Sequence, residues 1–229
     1  MTQPPLTQPP PRHLDHQLKA SITRALEWAP DVNADHIGVS LTEGAVSLFG
    51  EVLTYPEKTA AIRAVLRVHG VTGIADELTV KHNWGTRPDG DIARDISTGL
   101  TSNVVLLSRG VKATVKDQWV TLTGEVSWNY EREAAGHVAS NIAGVSGIHN
   151  RITLRPTLPF AAEDATVKVK EALIRNAQTD AGTIHVTAEG TELNLSGTVH
   201  SWSEFREAGD AAWATPGVTA VKNNLSVAS

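Results

Sequence analysis

Val46-Ser47-Leu48-Phe49-Gly50-Glu51-Val52 returns as Val120-Thr121-Leu122-Thr123-Gly124-Glu125-Val126 and again as Leu193-Asn194-Leu195-Ser196-Gly197-Thr198-Val199. Twenty residues after each central glycine stands a Gly-Val pair: Gly70-Val71, Gly144-Val145 and Gly217-Val218. Shifts of 74 and then 73 residues superpose these anchors without a gap, together with nearly every apolar position between Leu18 and Val80. A period of this length means one structural unit built three times.

Outward from the motif, each copy reads alike. The segment before it alternates, as Ile37-x-Val39-x-Leu41, Val111-x-Ala113-x-Val115 and Ile184-x-Val186-x-Ala188, and is separated from it by the turn residues Glu43-Gly44, Lys116-Asp117-Gln118 and Glu189-Gly190. Period two on both sides of a turn predicts a hairpin with one buried face. Farther back, Leu18, Ile22 and Leu26 recur as Ile92, Ile96 and Leu100 and as Ala165, Val169 and Leu173. Spacing by four is the buried stripe of a first helix.

Downstream of the motif, Thr54-x-x-Glu57 and Ser201-x-x-Glu204 are capping boxes that open a second helix, and Glu131 keeps the carboxylate in the middle copy, where Trp128 takes the cap position. The helix shows a small-residue face (Ala61, Ala64, Val65, Val68; Ala135, Val138, Ala139, Ile142; Ala208, Ala211, Ala212, Thr215) and ends before Gly70, Gly144 and Gly217. Those glycines suit left-handed helix C-termini, and Gly50, Gly124 and Gly197 suit a strand end. A third strand follows through Ile74, Leu78 and Val80, Ile148, Ile152 and Leu154, and Val221, Leu225 and Val227. The fold class is therefore α+β: three tandem αββαβ modules, each with two helices on one face of a three-stranded mixed sheet and the other face open to water or a partner.

The expected boundaries are a Pro-rich disordered arm over 1–12, modules over 13–82, 91–155 and 163–229, and linkers over 83–90 and 156–162. Each module is near the lower size limit of a self-sufficient core, so contacts between neighbours should assist. The arm has no basic stretch leading into an apolar run, which reads as neither secretory signal nor membrane anchor, and no transmembrane segment follows; a cytoplasmic location is the expectation from these features. The absence of cysteine excludes disulfides, thiolate zinc sites and a thiol nucleophile. Net charge over 15–83, 89–155 and 163–229 is −3, 0 and −4, and no concentrated basic surface suited to nucleic acid emerges.

These residues resemble the BON domain family, a small bacterial module named after an osmotically induced protein and nodulation proteins. The resemblance rests on V-x-L-x-G-x-V, as in Val46–Val52, with a Gly-Val before the last strand, and it covers three copies. It implies an αββαβ fold and a non-enzymatic binding role, usually in the cell envelope, with phospholipid or protein contacts. One cytoplasmic branch of the family binds potassium, alongside a lysin-motif domain that has no counterpart here.

No catalytic constellation repeats. Glu57, Glu131 and Glu204 have no recurrent base or nucleophile beside them, and His13 and His16 supply too few ligands for a metal, so neither metal nor cofactor is expected. The aromatics carry more. Tyr55, Trp128, Tyr130 and Trp202 all fall in the link between second strand and second helix, a position suited to packing between modules or to partner and membrane-interface contact. Lys112 and Lys116 alternate away from the buried side of the middle module's first strand; should anionic lipid be contacted, this neutral module is the favoured one. The expected function is that of a non-catalytic, stress-related binding and assembly protein offering repeated surfaces to a protein partner, to its own copies or to a phospholipid surface. The alternative is a small-ligand or potassium sensor.

Overall fold

A computed structural model of the chain describes residues 11–42, 44–82, 85–106, 110–156, 166–167, 169, 171 and 183–228. The arm over 1–10, Glu43, parts of both linkers and, within the third module's first helix, Ala165 and Leu173 lie outside the described residues.

The first module runs α1 (Pro11–Glu27), a 3-10 turn, β1 (Ile37–Thr42), β2 (Ala45–Val52), α2 (Tyr55–Leu66) and β3 (Gly73–Val80). The second repeats this as α3 (Asp89–Ser102), a 3-10 turn, β4 (Lys112–Lys116), β5 (Trp119–Val126), α4 (Asn129–Ser140) and β6 (Gly147–Leu154). The third shows β7 (Ile184–Glu189), β8 (Glu192–Val199), α5 (Trp202–Trp213) and β9 (Ala220–Val227). Helix α1 begins at Pro11, inside the segment expected to be an arm; proline is suited to a first helical turn because its missing N–H has no intrahelical acceptor there.

Three separate mixed sheets form, ordered β1-β2-β3, β4-β5-β6 and β7-β8-β9. The hairpins are antiparallel, and β6 and β9 run parallel to β5 and β8. The recurrent motif is thus the central strand of each sheet. Its Val46, Leu48, Val120, Leu122, Leu193 and Leu195 are almost completely buried beneath the helices. Ile22 and Leu26 of α1, Ile92, Ile96 and Leu100 of α3 and Val169 supply the layer above, while Ala61, Ala135 and Ala208 bring the second helices close.

The motif glycine is demanded by backbone shape. Gly50, Gly124 and Gly197 lie at φ 120°, 139° and 121°. A Cβ at these positions would press on the carbonyls of His36, Gly110 and Thr183. The middle hairpin solves a second backbone problem with charge. Its turn residues Asp117 and Gln118 sit at φ 51° and 64°, and their N–H groups donate to the two oxygens of Asp89 at 2.8 and 2.9 Å. One carboxylate at the start of α3 thereby holds a left-handed, non-glycine turn.

Two compact units divide the chain: most of the first module forms one, and residues 53–56 with 80–228 form the other.

Candidate functional site: the strand-to-helix corners

Each corner is a chain reversal whose N–H groups must be satisfied before the second helix begins. In the second module Glu131 does this, its Oε2 accepting the N–H of Ser127 (2.8 Å) and of Trp128 (3.0 Å). Trp128 cannot cap by side chain. Its indole stacks instead on Tyr130, with centroids 6.3 Å apart at 27°. In the third module Ser201 Oγ accepts the Glu204 N–H (3.2 Å) and Glu204 Oε2 accepts that of His200 (2.9 Å). Trp202 there packs on Phe205, 5.0 Å away and tilted by 58°. In the first module Glu57 Oε1 accepts the Asn33 N–H at 2.9 Å, tying α2 to the segment before β1.

Within the larger unit, the corners meet the ends of second helices. Trp128, Asn129, Tyr130 and Glu133 of α4 and its corner line an open cavity of about 590 Å³ with Asp210, Trp213 and Ala214 of α5 and its end. Arg132 lays its guanidinium over Trp213, 4.6 Å from the ring centroid. Burial lowers the Arg132 pKa from its ordinary value, with neighbouring Glu133 acting the opposite way.

The segment Thr54–Pro56 repeats the arrangement. Tyr55 packs against the second module's core. With its neighbours it lines a cavity of about 150 Å³ that includes His82 and Ser140–Val145. By the repeat shifts, Thr54–Pro56 correspond to Trp128–Tyr130, and Ser140 and Asn141 correspond to Trp213 and Ala214. The same slots meet at both places.

The first module bears the corresponding helix end. Arg63 and Arg67, in the slots of Asp210 and Ala214, line a groove of about 410 Å³ together with Trp28, Ala60, Ala64 and Val68. Trp28 is 86% exposed.

Lys112 and Lys116 are exposed on β4, an edge strand. Register sets Lys116 opposite Trp119 and Lys112 opposite Thr123, which in turn faces Arg151. Trp119 stacks on His149 with centroids 4.9 Å apart at 23°. The open face of this sheet therefore gathers Lys112, Lys116, Arg151, Trp119 and His149. Register puts Trp119, rather than the corner residue Trp128, opposite Lys116.

Sequence reasoning brought out the corner aromatics but missed Trp213, Arg132, Trp28 and Trp119. Trp213 shares its slot with Leu66 and Ser140, and Trp119 with Ala45 and Glu192, so repetition gave no signal. Among the described residues no helix is long and apolar enough to cross a membrane, and no group of three or more His, Asp or Glu could hold a metal ion.

A family model described as BON domain matches residues 14–82, 88–156 and 161–229. Osmotically-inducible protein Y of Escherichia coli K12 is 26% identical over 141 residues, spanning 59% of this chain and 70% of that protein. Among solved structures, CdsD, a structural protein of the type III secretion system of Chlamydia trachomatis, aligns over 93% of this chain and 92% of its own at 15% identity, with a TM-score of 0.26. The PrgH periplasmic domain aligns over 84% and 95% at 11% identity, with a TM-score of 0.21.

Proposed function

Because the chain belongs to the BON domain family, we propose that it is a non-catalytic assembly protein whose corners dock onto helix ends, within one chain and between copies. The supporting observation is the recurrence of one contact. Residues 54–56 and 128–130 occupy equivalent slots, and each set lies against the equivalent end of a second helix, 140–141 or 213–214. A contact between unlike surfaces that repeats along a chain continues into further copies unless it closes on itself.

The seat for such a continuation is the groove on the first module, where Trp28, Arg63 and Arg67 surround small alanines. The occupant is the third module's corner, Ser201-Trp202-Ser203, of a second chain. Arginine beside an indole is the pairing that Arg132 and Trp213 already make, here with the cation on the seat and the ring on the corner. Sedimentation velocity over a range of concentrations tests this. Wild type should shift to larger species as concentration rises, and Trp28→Ser with Arg67→Glu should abolish the shift. A wild type of constant size, or an unchanged shift in the variant, contradicts the proposal.

The basic open face of β4-β5-β6 favours a second reading, contact with an anionic phospholipid surface. Lys112, Lys116 and Arg151 would each contribute about 1 kcal/mol near such a surface, with Trp119 at the interface. Charge reversal at Lys112 and Lys116 should release the protein from anionic vesicles, and raised salt should do the same. Equal binding to neutral vesicles would rule it out.

A further inference from the structure

Tyr55 belongs to the first module by repeat and to the second by packing. Together with Ala134, Val138 and Ile142 of α4 and its end, it packs against the second module's buried core. Compactness follows that packing rather than the repeat boundary. Residues 53–56 fall in the compact unit of residues 80–228, although residues 57–79 do not.

The first module lacks what its neighbour has. In the second, α3 and α4 meet so closely that a Cβ on Gly99 would stand 2.8 Å from Val138 Cγ1. The equivalent slots of the first module hold Ala25 and Ala64, and these instead line the groove of about 410 Å³ with Ala60, Val68 and Trp28. Among the described residues, those lining the groove all belong to the first module, and Trp28 is 86% exposed. A module near the lower size limit for an independent core gains most from apolar surface brought by another element. By the two repeat shifts, Trp202 occupies the slot of Tyr55.

We infer that a docked corner is a member of the receiving module's core, so that self-assembly is coupled to the folding of the first module. This rests on the corner-docking reading above: Trp202 of a second chain does for the first module what Tyr55 does for the second. An ordering within the single chain follows. The first module opens most easily, and a second chain stabilises it by mass action, as any ligand of the native state does.

Amide exchange of the full chain, resolved by strand, is followed from dilute to concentrated solution, with sedimentation velocity on the same samples. In dilute solution β2 should exchange about ten-fold or more faster than β5, and its protection should climb as larger species form while β5 and β8 stay unchanged. Tyr55→Ser applies the same idea inside one chain. It should speed exchange in β5 by about ten-fold or more, with β2 unaltered and β8 as the control for folding. The absence of larger species would sink the docking reading and this inference with it. Larger species with unaltered β2 protection, or a Tyr55→Ser chain in which β2 rather than β5 loses protection, would overturn the coupling and leave the docking reading standing.

Discussion

Asp89 is where a single side chain most clearly sets local backbone shape. Two non-glycine residues in succession at positive φ are strained, and the Asp89 carboxylate compensates by accepting both of their N–H groups. Asp89→Ala should destabilise the second module by about 1–2 kcal/mol and speed amide exchange at Asp117 and Gln118, while leaving exchange in β7 and β8 unchanged. Unaltered exchange at the turn would mean that the carboxylate does not hold it. The turn itself was legible from Lys116-Asp117-Gln118, but its left-handed conformation was not. That conformation depends on a carboxylate 28 residues upstream, and no local propensity records such a partner.

At the scale of elements, the motif glycine and the helix-end cation report on different contacts. Gly124→Val should damage the second module, because φ 139° and the approach of the Gly110 carbonyl leave no room for a branched side chain. Loss of amide protection across β4, β5 and β6 would be the sign of it; native protection there would contradict the role assigned. The Arg132–Trp213 pair instead joins α4 to the end of α5. A double-mutant cycle with Arg132→Met and Trp213→Leu should give a coupling of about 0.5–2 kcal/mol in unfolding, and a coupling near zero would remove this pair from the junction's energetics. The elements themselves were legible because a buried face imposes periods of two and of about four, three times over. The corner aromatics were visible because several modules carry one. Their receptors were not, since Trp213 stands alone in its slot and pairing between modules leaves no periodicity in the chain.

For the whole molecule, the proposed assembly joins several weak contacts by one covalent chain, and its avidity would follow from their number rather than from any single strong site. In the proposed assembly the groove beside Trp28 is the seat, and the corner at Trp202 of a second chain is its occupant. The absence of cysteine makes a direct test of their meeting clean. One preparation carrying Ala64→Cys in the groove is mixed with another carrying Ser203→Cys at the corner, under mild oxidation, and the disulfide-linked products are resolved by mass. The expected result is that the mixed dimer forms well ahead of either homodimer and ahead of a control pair with Ser47→Cys on the open sheet face. The contrary result is cross-linking of the mixed pair no faster than that of the homodimers or of the control pair.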